Sequence, residues 1–371
     1  MTPKGTAMTD TSPSPGSAPS STSFVDWKLA SATARRLTPS GPAVSAADAR
    51  QAVDELRVAS QRAHGPVAET ARLQTPADLP PAMIVDRATW SEVNVASFSG
   101  LMDPVVNKLI ERKDGPPMVA PIKKAGGVLT GVEVGTLLSF LSTKVLGQYD
   151  LAYANTAADS RLLLVAPNIV ETERALNVDP TDFRLWVCLH EETHRVQFTA
   201  NPWLRDHLIA MSAGLLDDLA PDLDSLRDRV AILAKGAPEA MREGGGGLVS
   251  IITTPEQREG IERVTAVMSL LEGHADVVMD EVGPQIVPSV AVIRERFERR
   301  RDGLGPMDIL LRRLLGLEAK MRQYREGAAF VRGVADMVGI DGFNAVWTSP
   351  ETLPTAAEIA DHRRWVARVH G

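Results

Sequence analysis

The stretch Leu185-Trp186-Val187-Cys188-Leu189-His190-Glu191-Glu192-Thr193-His194-Arg195-Val196-Gln197-Phe198 decides how this chain is read. It contains His-Glu-x-x-His, the spacing by which one helix face offers two imidazoles to a single cation. At about 100° per residue, His194 falls about 40° from His190, and Glu191 lies about 60° beyond His194. Phe183, Val187 and Phe198 share that side, so the two histidines are expected to face the core. Glu192, about 200° from His190, is expected to point outward. The flanks predict a helix from Pro180 to Thr199. Asp179 is a good N-cap, Pro180 suits the first helical position, and Asp182 complements the positive end of the dipole.

Two imidazoles leave zinc short of a ligand, because catalytic sites use three protein ligands and keep one position open. The metzincin solution would need Gly at 197 and His at 200, where this chain has Gln197 and Ala200. A glutamate from a second helix is the other solution. Leu271-Glu272-Gly273-His274-Ala275-Asp276 offers one, within a long helix expected over Thr254 to Asp280 and opened by Pro255. Glu272 lines up with Met268, Ala275 and Met279, beside an apolar stripe where a cation is a suitable partner for a carboxylate. An ion pair with an Arg is the ordinary alternative for it. Gly273 costs a helix about 1 kcal/mol relative to Ala; close approach of another helix would explain it. Asp276, one turn on, is a candidate to accept the free N–H of a ligating histidine. His274 is expected to face elsewhere, as a structural or exposed residue, and His207 is an alternative ligand. The expected site is therefore Zn2+ held by His190, His194 and Glu272. Glu191 would be the general base for a water whose pKa zinc lowers to about 7. Tyr324 and Arg325 are candidates to stabilise the oxyanion, packing or surface roles being the ordinary alternative.

Composition narrows the field. Against 40 Lys+Arg stand 47 Asp+Glu, a net charge of −7, which argues against a nucleic-acid binder. A single Cys188 excludes a disulfide framework and a cysteine zinc cage, and it suits a reducing cytoplasm. The most apolar run, Val128 to Leu141, carries Glu133 and two glycines and reads as a buried helix, not a membrane span. Residues 1–23, rich in Ser, Thr, Pro and Gly, read as a disordered tail with no targeting segment.

Periodicity predicts further helices over Ala46 to Ala63, Arg87 to Phe98, Pro104 to Arg112, Gly127 to Leu146, Pro202 to Leu216 and Leu223 to Lys235. Val290 to Arg301 and Gly305 to Ala329 follow, and Pro66 to Pro81 reads as a broken connector. Gly244 to Gly247 reads as a flexible connector, and Arg161 to Val165, closed by Pro167, is the best strand. The fold class is mainly α with few strands.

Several further clusters accompany the histidine motif. They are Val85-Asp86-Arg87 with Trp90 and Asn94; Val145-Leu146-Gly147-Gln148-Tyr149-Asp150; and Leu271 to Asp280. Gln323-Tyr324 with Gly327 and Phe330, and Leu353-Pro354-Thr355 with Glu358, complete the set. With these, nearly everything after the tail resembles the actinobacterial zincin-like metallopeptidases of unknown function, some of which are labelled as associated with biosynthesis of a deazaflavin coenzyme. The resemblance implies a mainly helical α+β zincin-type fold over residues 24–371, with two lobes of about 24–180 and 181–371 flanking a zinc cleft. It implies a zinc hydrolase with His190, His194 and Glu272 as ligands and Glu191 as base. The expected activity is that of a cytoplasmic metallopeptidase acting on a peptide, independent of nucleic acid and membrane. A non-catalytic, zinc-tied scaffold for a partner, and a hydrolase of small amides in coenzyme metabolism, are the alternatives.

Overall fold

The computed structural model describes residues 25–111, 120–151, 161–219, 254–302 and 317–371, with side chains over 25–103, 130–151, 161–215, 254–299 and 326–371. The predicted tail, the Leu223 to Lys235 helix and the Gly244 to Gly247 connector lie outside them. In chain order the elements are α1 (Trp27–Leu37), α2 (Ala46–Ala71), β1 (Met83–Val85), α3 (Arg87–Glu111), α4 (Ala120–Leu141), β2 (Gly147–Asp150) and β3 (Arg161–Val165). They continue with α5 (Ala166–Leu176), α6 (Pro180–Ala200), α7 (Pro202–Leu219), α8 (Pro255–Ile286), α9 (Val290–Asp302), α10 (Leu317–Phe343), α11 (Ala356–Ala360) and α12 (His362–His370). The fold is mainly helical, as the sequence predicts. Among the described residues, no helix is long and apolar enough to cross a membrane.

The strands form one sheet in the order β1-β3-β2, with β1 parallel and β2 antiparallel to the central β3. Position explains the unbroken Leu162-Leu163-Leu164-Val165 run. Leu163 and Val165 face a cluster with Trp90 and Leu138, whereas Leu164 faces a cluster with α2 and α6. A strand buried on both faces needs no polar alternation. β1 and β2 are too short and too mixed in character for periodicity to expose them.

Several boundaries differ from expectation for identifiable reasons. α2 does not stop before Pro66 but continues to Ala71, because Ala63, Val67 and Ala71 extend one fully buried face across the proline. α3 is a single helix running past Pro104, where two helices were expected. α4 ends at Leu141, and the chain turns to let Val165 N–H donate to Leu146 O at 2.8 Å as β2 joins β3. Pro167, read only as the end of a strand, also occupies the first turn of α5, which the sequence reading missed.

α6 is held as predicted. The Asp179 side chain accepts from Asp182 N–H at 2.9 Å. α8 opens with a capping box between Thr254 and Gln257 and runs six residues past Asp280. Both long helices pass between two core clusters. Phe183 to Val196 on α6 and Val278 to Val282 on α8 belong to the cluster with α2. Phe198 on α6 and Ala266 to Leu271 on α8 belong to the cluster with α10 and the C-terminal helices. The two helices pack against one another, and His190 and His194 on α6 meet Glu272 on α8 there.

Candidate metal centre

His190 and His194 lie one turn apart on α6, with their Nε2 atoms 3.2 Å from one another. From α8, Glu272 Oε2 comes to 3.6 Å from His190 Nε2 and 3.8 Å from His194 Nε2. Among the described residues, these three form the only group of His, Cys, Asp or Glu donors close enough to share a metal ion. Zinc–nitrogen bonds of 2.0–2.1 Å at tetrahedral angles imply donor separations of about 3.4 Å. The observed spacings bracket that value, so these residues fit a zinc ion. The side chains are 30 %, 13 % and 19 % exposed. The three side chains are therefore partly exposed and not closed into the core, where the sequence reading expected the histidines to face.

A glycine pair fixes where Glu272 stands. A Cβ on Gly273 would run into the carbonyl carbon of Gly327 on α10, and one on Gly327 would run into the Ser269 carbonyl oxygen. The two backbones meet with no side chain between them, which accounts for a glycine in mid-helix. Any larger residue would force α8 and α10 apart and carry Glu272 with it.

Glu191 is buried and accepts no hydrogen bond among the described residues. Burial, reinforced by the charges of Glu272 and Glu192, raises its pKa from 4.5 to about 8. Its side chain lies directly against β2. A Cβ on Gly147 would sit 2.6 Å from Glu191 Cδ, so glycine here lets this carboxyl lie where it does beside the strand. Tyr149, two residues on and on the same strand face, stacks on Phe198 at 5.3 Å and ties β2 to α6. On the opposite strand face, Gln148 donates to Asn94 and Asp150 accepts from Ser97.

Glu192 corrects the sequence reading. It does point away from the metal site, but it is fully buried instead of facing outward. Ser60 Oγ on α2 donates to Oε1 at 2.6 Å, and Arg195 holds both oxygens at 2.6 and 2.9 Å. His64, one turn after Ser60, reaches Oε2 at 3.2 Å through Nδ1. An amphipathic pattern predicts which way a residue points, not whether another helix covers that side; here α2 does.

Other candidates resolve simply. Gln197 lies between His194 and α8: its Oε1 is 3.0 Å from His194 Nδ1, and its Nε2 is 2.9 Å from Leu271 O. The same Nε2 is 2.9 Å from Nδ1 of His274, which is fully buried between Phe343 and Trp347. Sequence reading used Gln197 only to exclude the metzincins; its position three residues after His194, on the ligand face, was the available signal. Asp276 is half-buried, one turn after Glu272. His207 packs on Trp203, apart from the donor cluster. The side chains of Tyr324 and Arg325 lie outside the described residues.

Comparison with known proteins gives a structural relative and a family. A crystal structure from Chloroflexus aurantiacus, described as "a putative hydrolase with a novel fold", superposes with a TM-score of 0.66. It is 30 % identical to this chain, over 93 % of this chain and 99 % of that one. No curated protein matches the chain. The family model that matches, over residues 25–366, is that of the zincin-like metallopeptidases, and the chain belongs to that family.

Proposed function

We propose that this protein is a zinc-dependent hydrolase, in the first instance a metallopeptidase, with His190, His194 and Glu272 holding Zn2+ and Glu191 as general base. The single observation carrying the proposal is the convergence of three donors from α6 and α8 at spacings suited to one zinc ion. When bound, zinc supplies a Lewis acid that acidifies water and polarises a carbonyl. Everything else falls to the chain. Glu191, one residue after His190 and beside Gly147, would take a proton from water and return it to a leaving amine. Its raised pKa belongs to a site whose negative charge is unbalanced. A cation held between the donors would favour the carboxylate form of Glu191. Asp276 is proposed to accept the remaining imidazole N–H of His190. An extended peptide bound alongside Glu191 is the proposed substrate. A small amide of coenzyme metabolism is the alternative substrate. The proposal includes a cytoplasmic location, which the single buried Cys188 thiol suits.

The experiment pairs metal analysis with hydrolysis. The purified full chain should carry one zinc per molecule and cleave an unstructured protein or a peptide library; chelation should stop cleavage and added zinc restore it. Glu191→Gln should retain the metal and lose roughly 10²–10⁴-fold in rate. A metal-replete preparation without stoichiometric zinc, or a Glu191→Gln variant as active as the parent, would defeat the proposal. Cleavage of small amides with none of peptides would select the alternative substrate.

A further inference from the structure

Gln197 carries an inference that goes deeper into the same site. Its two amide ends can be told apart by chemistry alone. The Leu271 carbonyl oxygen can only accept, so the end of Gln197 lying 2.9 Å from it must be the NH2 group. The carbonyl end then faces His194 Nδ1 at 3.0 Å, and since an amide oxygen cannot donate, Nδ1 must carry the hydrogen. That leaves His194 Nε2 as the lone pair, and Nε2 is the atom aimed at His190 and Glu272. On the other side, the second NH2 hydrogen points to His274 Nδ1 at 2.9 Å, which must accept it. His274 therefore carries its hydrogen on Nε2, a buried atom without a hydrogen-bond partner among the described residues, in a ring packed against Phe343 and Trp347.

We propose that Gln197 is a positioning residue which, locked by the Leu271 carbonyl, sets the tautomers of His194 and His274 and so presents His194 Nε2 to the metal before any metal arrives. A backbone carbonyl of α8, the helix that carries Glu272, thereby dictates which nitrogen of an α6 histidine is free. The device couples ligand chemistry to the docking of the two helices: if α8 shifts, the amide loses its lock. For its effect on metal affinity the proposal rests on the zinc reading above, whereas the tautomers do not.

The test has two readouts. In the metal-free full chain at pH about 8.5, where imidazoles are neutral, nitrogen NMR of histidine-labelled protein should find His194 with hydrogen on Nδ1 and His274 with hydrogen on Nε2. The opposite tautomer at either ring would overturn the proposal, whether or not the protein binds zinc. Zinc affinity, measured by competition with a chromophoric chelator, should fall roughly 10–100-fold in Gln197→Leu, with the cobalt-substituted spectrum altered. A folded Gln197→Leu variant that holds zinc within about twofold of the parent would also overturn it. If the parent chain binds no zinc at all, the metallopeptidase reading falls and the tautomers alone decide this one.

Discussion

Glu191 and Glu192 are neighbours in sequence, both buried, and they are kept in opposite ways. Glu192 has a hydroxyl, an imidazole and a bidentate guanidinium on its two oxygens, supplied by α2 and by α6 itself. Arg195 in turn donates to the Pro80 carbonyl at 2.7 Å, and Thr75 lies 3.1 Å from the far nitrogen of His64. Glu191 has no hydrogen bond among the described residues and two like charges nearby. One face of α6 satisfies its acid completely and so anchors the helix against α2. The other leaves its acid without a partner among the described residues, beside the carboxylate of Glu272. A helix that must hold ligands within fractions of an ångström needs a rigid back before it can carry a strained front.

The largest effect should come from breaking the satisfied side. Glu192→Leu keeps the bulk but leaves Arg195 buried without its carboxylate, and removing one partner of a buried pair costs about 3–5 kcal/mol. Urea unfolding of the metal-free protein should show that loss, with Glu192→Gln intermediate. An unchanged midpoint would mean that the network contributes nothing to anchoring α6.

The unsatisfied side should respond with the opposite sign. Because the folded-state pKa of Glu191 is raised from 4.5 to about 8, the folded protein binds more protons than the unfolded chain between those values. Stability of the metal-free protein should therefore fall as pH rises through that window, the fully stable condition for this group lying below it. Glu191→Gln removes the charge and should flatten that slope, making the metal-free variant more stable than the parent near pH 8, by a few kcal/mol at most. Thermal unfolding across the pH range checks both statements. A parent whose Tm rises from pH 5 to pH 8 more steeply than that of the variant would contradict them.

The same contrast shows what sequence can carry. The front of α6 was legible because two histidines and a glutamate at fixed helical spacing have one chemical use, and because Glu272 stood beside a glycine that only a helix crossing explains. The Gly273–Gly327 contact supplies that crossing. The back was not legible, because burial of Glu192 depends on α2 docking Ser60 and His64 onto α6, contacts more than a hundred residues away in sequence. β2 escaped for a related reason. Gly147-Gln148-Tyr149-Asp150 is neither alternating nor apolar, since its inward groups serve α3 and α6 by polar contacts and stacking in place of aliphatic packing.

The smallest predicted effect falls on that strand and separates position from charge. Gly147→Ala changes no ionisable group and leaves His190, His194 and Glu272 untouched, yet its methyl would overlap the end of the Glu191 side chain, 2.6 Å from Cδ. The carboxyl must rotate or the strand must withdraw, and either change moves the base by a substantial fraction of an ångström. Misplacement on that scale costs on the order of 10–100-fold in rate, so kcat should drop by about that factor. Zinc affinity should hold and thermal stability should change little, because a side-chain end can yield where a backbone could not. Should zinc binding weaken in parallel with kcat, Gly147 would be shaping the whole metal centre, and the division of α6 into a rigid back and a tunable front would have to include β2 as a third support.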